Sequence, residues 1–293
     1  CNGGGRALIS NQNYVENKIV LKTFLGERTH FFEPTTTAET LTAIRAHKPT
    51  AVFLELISNT KVLRLLDIKE IIDGLIASHK EDLYLVIDVT CSVGFEPFPP
   101  STVLPKNIKV LLHGSLLKAP QLGLERVNMG FVQAINLVED SDKILDNRTL
   151  SGTNVQDFAV NQLPFTTNAL LRRRMARISQ NAKTLAVFLS QMDPEKSLIE
   201  SVIYPGLESH PDHEYAERTG FQGFFFNVQL VEKFNTDRYF ELLTSHVIRH
   251  AHEEQIDVIH GASFGFNHTS IYYSVGWDEP ENHYLRISPG IET

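Results

Sequence analysis

Apolar residues come along this chain in short, nearly unbroken runs separated by stretches with helical spacing. Ala7-Leu8-Ile9-Ser10, Thr29 to Phe32, Ala51 to Leu56, Leu83-Tyr84-Leu85-Val86-Ile87-Asp88 and Lys109 to Leu112 read as strands, and Gly130 to Ala134 as a further one. Between them, Lys18 to Leu25 has helical periodicity and stops at Gly26, a C-cap glycine, while Thr37 to Ala46 and Asp67 to Ser78 are helical. Strands that are apolar on both faces, alternating with helices, imply a mostly parallel sheet covered by helices on both sides. The loop with Pro97, Pro99, Pro100 and Pro105 cannot be regular structure.

Beyond the sixth strand the pattern changes. Cys1 to Gly5 at the start reads as a flexible or turn segment, and the polar stretch from Glu139 to Asn154 is the expected domain boundary. Asn168 to Gln191 forms one long helix with Leu170, Leu171, Met175, Ile178, Ala182, Leu185 and Leu189 on one face, suited to linking two domains. Phe224 to Val228 as a strand and Arg238 to His250 as a helix suit a smaller α/β domain. The expected division is 1–150, a large domain, and 151–293, the linking helix and the small one.

Charge and composition narrow the classes. A net charge of -8 over 293 residues, with a pI near 5.8, argues against a nucleic-acid partner. The one basic run, Arg172-Arg173-Arg174, reads as a solvated helix face. Cys1 and Cys91 cannot build a disulfide framework, which favours a reducing, cytoplasmic setting. No apolar stretch approaches the length that crosses a membrane.

Candidate chemistry gathers at strand ends, where ligands collect in open parallel sheets. Asn59, Asp88 and Lys118 each follow such an end. A primary amine held against apolar surroundings loses the solvation of its ammonium form and can attack a carbonyl. The usual carbonyl is pyridoxal phosphate, whose ring nitrogen stays protonated when a carboxylate faces it. Lys118 and Asp88 supply that amine and that acid; the bland alternatives are a solvated loop lysine and a helix N-cap.

Five ordered segments carry a resemblance. Glu55-Leu56-Ile57-Ser58-Asn59 is similar to E-S-P-S-N, Val86 to Thr90 to V-D-N-T, and Ser115-Leu116-Leu117-Lys118 to S-x-T-K. Tyr204 to Pro211 resembles Y-P-G-L-x-S-H-P, and Leu285 to Glu292 resembles L-R-L-S-V-G-I-E. The chain thus resembles the cystathionine γ-synthase-like branch, Cys/Met metabolism, of the pyridoxal-phosphate enzymes with the aspartate aminotransferase fold, fold type I.

The resemblance implies β- or γ-elimination, or γ-replacement, on a sulfur-containing or O-activated amino acid. Lys118 would carry the Schiff base and move protons, and Asp88 would pair with the ring nitrogen. Thr90 would lie near the ring, Ser115 would bind phosphate, and Tyr14, where the family has Y-G-G-T, would stack on the ring and join the catalytic set. Arg286 would grip the substrate carboxylate, assisted by Asn59 and by Ser263, which lies in a loose match to S-L-G-G. A homo-oligomer, dimer or tetramer, acting on a small amino acid is implied as well.

The chain also departs from the family. Leu117 replaces a phosphate-contacting threonine, Ala119 a tyrosine, and Ala262 a glutamate that marks many cystathionine-handling members. The resemblance starts part-way into the large domain, so an N-terminal part with a phosphate-binding serine-glycine turn is expected to be missing. A degenerate homologue that keeps the fold as a binding or assembly module is the competing reading. His246, His250, His252, Glu253 and Glu254 read as a surface group rather than a metal site, and His210 and His213 as structural residues.

Overall fold

The computed structural model describes residues 4–33, 36–137, 141–164, 166–193, 196–275 and 283–292; Cys1 to Gly3 of the expected flexible start, and Glu139 and Asp140 of the expected boundary, lie outside them. Six strands, β1 (Ala7–Ser10), β2 (Thr29–Phe32), β3 (Ala51–Glu55), β4 (Leu83–Asp88), β5 (Ile108–Ser115) and β6 (Gly130–Ile135), form one sheet in the order β2-β1-β3-β4-β5-β6. The first five run parallel and β6 runs antiparallel to β5. Helices α1 (Val15–Leu25), α2 (Thr37–His47) and α3 (Ile68–Ser78) make the crossovers.

Local chemistry sets their ends. Thr36 and Glu39 close a reciprocal capping box on α2, and Asp67 caps α3 by accepting from Glu70 N at 2.9 Å. Ile68, Ile71, Ile72 and Leu75 recur at helical spacing and are buried against the sheet. Burying a side chain of that size stabilises by about 1.5–3 kcal/mol, so this face fixes how α3 lies.

The polar stretch after β6 holds two helices, α4 (Ser141–Leu150) and α5 (Asp157–Asn161), with no buried residue in either. No apolar period marks them, which is why the hydrophobic pattern does not reveal them. Helix α6 (Asn168–Ser190) places Met175 and Ile178 in the core beneath the first sheet, and Ala182 and Ala186 in a second core. One helix therefore belongs to both.

The second sheet comprises β7 (Ile199–Ile203), β8 (Phe226–Leu230), β9 (Val258–His260), β10 (Thr269–Val275) and β11 (His283–Ser288), ordered β7-β8-β11-β10-β9. All its pairings are antiparallel except β9 with β10. Helices α7 (His213–Thr219) and α8 (Asp237–Glu253) belong to this half of the chain. Strand β8 starts two residues later than the phenylalanine run suggests, because Phe224 and Phe225 turn into the first core. No described helix is long and apolar enough to cross a membrane.

Candidate active site

Lys118 sits in the turn after β5, and its Nζ donates to Ser263 Oγ at 2.6 Å while lying 5.7 Å from the centre of the Phe264 ring. Ser263 belongs to the loop before β10. That loop meets the lysine turn at Gly265, where a Cβ would stand 3.0 Å from the backbone of Ala119. Arg174 of α6 holds the loop from behind, donating to the Gly265 carbonyl and to Asn267 Oδ1, each at 2.8 Å. This corrects the solvated reading of the arginine run: Arg174 is half-buried, and burial pulls its pKa below the usual value. Arg172 remains exposed, paired with Glu96.

Asp88 closes the neighbouring strand. Each of its oxygens accepts one hydrogen bond, Oδ1 from Thr90 N at 2.9 Å and Oδ2 from Asn17 Nδ2 at 3.0 Å. Thr90 Oγ1 accepts from Ser115 N at 2.9 Å, and Ser115 Oγ accepts from Leu117 N at 3.2 Å. Asp88, Thr90 and Ser115 are thus joined in one chain of contacts that runs to within three residues of Lys118. Tyr14 is the N-cap of α1; its backbone N–H donates to Glu55 Oε2 at 3.0 Å. Burial, then the Glu16 carboxylate, raises the Tyr14 hydroxyl pKa, with Asp88 a smaller contributor.

Arg286 lies within β11 at 8% exposure. Its Nε donates to Asn227 Oδ1 at 3.1 Å, its Nη2 to the Thr60 carbonyl at 3.3 Å and its Nη1 to Asn59 Oδ1. The guanidinium also lies 4.5 Å from the Phe225 ring centre and 5.5 Å from that of Tyr284. Asn227 in turn donates to the carbonyls of Thr60 and Lys61. A buried cation held this way keeps its planar fork in one orientation, which is what two-pronged recognition of a carboxylate needs.

The residues therefore fall into three contacting groups: Lys118 with Ser263, Asp88 with Thr90 and Ser115, and Arg286 with Asn59. Four further residues complete them. Glu55, which ends β3, carries the signal of an acid in an apolar run, and Asn227 that of one of the two polar residues in β8. Asn17 and Phe264 carried no signal of spacing or pattern.

These side chains fit pyridoxal phosphate at its ring end. Asp88 is buried and its oxygens keep lone pairs for a ring N–H, and the Lys118 amine follows the end of the adjacent strand. At the phosphate end, Ser115 can still donate its hydroxyl hydrogen, and Leu117 has none to offer.

Residues 1–247 match the family model for Cys/Met metabolism PLP-dependent enzymes. A bifunctional enzyme, flvA, of Aspergillus flavus is 28% identical over 265 residues, which cover 89% of this chain; the chain spans 30% of that relative's length. Cystathionine gamma synthase from Xanthomonas oryzae pv. oryzae superposes with a TM-score of 0.71 at 18% identity, covering 99% of this chain and 72% of that one. Cystathionine gamma-lyase from Lactobacillus plantarum gives 0.71 at 18%, with 99% and 73% covered. CalE6, a methionine gamma lyase from Micromonospora echinospora, gives 0.69 at 20%, with 99% and 72% covered. At such identities the structures speak for the fold, fold type I, and the family model carries the assignment: this chain belongs to the Cys/Met metabolism family of PLP-dependent enzymes.

Proposed function

We propose that the chain forms the cofactor- and substrate-binding part of an enzyme of the cystathionine γ-synthase and γ-lyase type, eliminating at Cβ or Cγ, or replacing at Cγ, on a sulfur-containing or O-activated amino acid. The observation that carries the reading is that Lys118 sits in the turn after β5 and Asp88 ends β4, the adjacent parallel strand, with Thr90 Oγ1 accepting from Ser115 N to tie the two strand ends together. The small amino-acid ligands of the similar solved enzymes, L-serine among them, support the substrate class.

When bound, pyridoxal phosphate draws electron density from the substrate's Cα as a proton leaves it. Asp88 would face the ring nitrogen, Thr90 the ring, and Ser115 the phosphate, with Tyr14 stacked on the ring. Lys118 would hold the cofactor covalently, yield that bond to the substrate amine, and then move protons at Cα and its neighbours. Ser263 Oγ, 2.6 Å from Nζ, would orient that amine once it is released from the cofactor. Arg286 and Asn59 would take the substrate carboxylate and so fix which Cα bond lies across the ring. The division into 1–150 and 151–293, a homo-oligomeric state and a cytoplasmic setting belong to the same proposal.

Titrating the chain with pyridoxal phosphate tests this. A visible absorbance band should appear, and borohydride should fix the cofactor to the peptide that contains Lys118; a folded chain that stays colourless, or a label on another lysine, overturns the reading. A panel of amino acids with product analysis then separates elimination from replacement. The hydroxyl lost at Leu117 favours one alternative, a degenerate homologue acting as a binding or assembly module, and that is what a colourless chain with a silent Lys118→Ala variant would indicate.

A further inference from the structure

The proposed function uses Asp88 and leaves its neighbour Glu55 without a role. The two are register partners at the ends of β3 and β4. Neighbouring strands lie about 4.8 Å apart, and partnered residues present their side chains on one face. Two carboxyl groups thus stand side by side, at 4% and 6% exposure. Buried acids so close cannot both ionise, and the one with the weaker donors keeps the proton.

The donors are unequal in strength. Asp88 accepts an N–H at each oxygen, whereas Glu55 accepts one N–H, from Tyr14, and one weaker S–H, from Cys91. Asn17 is turned the right way by construction, because its Nδ2 also donates to Oδ1 of buried Asn13 at 2.9 Å. The amide nitrogen, not its oxygen, therefore faces Asp88.

We propose that Glu55 holds a proton at neutral pH and that Asn17 fixes the single negative charge of the pair on Asp88, so that the site is preset for a cationic ring nitrogen. This rests on the reading of Asp88 given under Proposed function. Glu55 would be a positioning residue acting through Asp88. The groups facing it are Tyr14 from α1, Asp88 of β4, Cys91 beyond that strand and Arg286 of β11. A cavity of about 10 Å³ beside it, bordered by Asn13, Ser58 and Arg64, has about the room of one water. Burial and then the Asp88 charge push the Glu55 carboxyl well above the usual carboxylate range, with Cys91, Tyr14 N and Arg286 opposing less strongly.

The sign of the pH effect follows. Folded Glu55 keeps a proton that the unfolded chain releases, so its contribution to stability is whole below the ordinary carboxylate range and is lost as pH rises toward the folded value. Glu55→Gln should flatten that decline in urea denaturation; an unchanged slope counts against the proposal.

The deciding measurement is difference infrared spectroscopy of the chain without added cofactor, wild type against Glu55→Gln. A protonated carboxyl band at neutral pH that disappears only in alkali supports the proposal, and a carboxylate signature at neutral pH overturns it. Asn17→Leu, with Asn17→Ala as a second variant should the first not fold, should move the Glu55 titration to lower pH. The same variants should weaken pyridoxal phosphate binding about tenfold, the scale of one hydrogen bond to a charged group. A Glu55 titration that stays in place in a folded variant removes Asn17 from the account. If the wild type shows the band yet binds no pyridoxal phosphate, the functional reading fails and the proton assignment stands.

Discussion

Asp88 and Lys118 stand where parallel strands end, whereas Arg286 stands inside an antiparallel strand and is held by groups brought from elsewhere in the chain. The first pair depends on one sheet: the β4–β5 register and the Thr90 to Ser115 hydrogen bond suffice to set the acid beside the turn that carries the amine. Arg286 depends on two. Asn59 and Thr60 reach it from the loop after β3, and Asn227 from β8. That loop is itself tied to the second half of the chain, by the double hydrogen bond of Arg64 to Asp212 at 2.7 and 2.8 Å and by His210 against the Val62 carbonyl at 2.9 Å. Disturbing the junction between the sheets should therefore damage substrate binding before it damages cofactor binding.

The sharpest way to break this contrast is Arg286→Lys. A lysine keeps the charge but cannot reach Asn227, Asn59 and Thr60 at once, so kcat/KM should fall about 100-fold or more, carried mainly by KM. The cofactor absorbance and its titration should stay as in the wild type; a variant that also loses the cofactor would show that the two halves are not separately anchored. Asn227→Leu is the milder form. It leaves the Lys61 carbonyl without its Asn227 donor, the Thr60 carbonyl with Arg286 alone and Arg286 Nε without its acceptor, costing about 2 kcal/mol of stability and about tenfold in KM. Urea denaturation and steady-state kinetics measure the two effects.

The same contrast explains what could be seen in the sequence. A strand buried on both faces must be a continuous apolar run, so the polar residue that ends it stands out, and Asp88 was legible for that reason. The strand bounds of β2 and β4 fall where the pattern puts them; Lys118 lies in the turn three residues past the end of β5, where a lone lysine is a weak signal until Asp88 and the family segments are set beside it. Arg286 and Ser263 lie where no period distinguishes them, and only their likeness to family segments singled them out, whereas Asn59 also follows a strand end. The phenylalanine run hid the start of β8, because an apolar side chain fits either core and only docking decides which one receives it. Arg174 looked like its two neighbours in a basic triplet; its contact with the Ser263 loop exists only once α6 is packed. Asn17 replaces the threonine of the family motif, and nothing along the chain announces that it reaches Asp88, 71 residues away.

The smallest expected effect lies where the two regions touch. Gly265 has φ +83°, and an added Cβ would stand 3.0 Å from both N and Cα of Ala119, next to Lys118. Gly265→Ala should thus cost about 1 kcal/mol, the scale of placing a side chain in the left-handed region. The strain can be relieved only by moving the lysine turn or the loop that carries Ser263, because Arg174 holds the Gly265 carbonyl on the other side. Either movement lengthens the 2.6 Å contact between Lys118 Nζ and Ser263 Oγ and leaves Arg286 and its partners in place. Kinetics should show kcat reduced about 5-fold, the rate equivalent of the same ~1 kcal/mol, with KM unchanged. A rise in KM with kcat intact would mean that the loop serves the substrate rather than the amine, and the boundary between the two anchoring schemes would have to be drawn on the other side of Ser263.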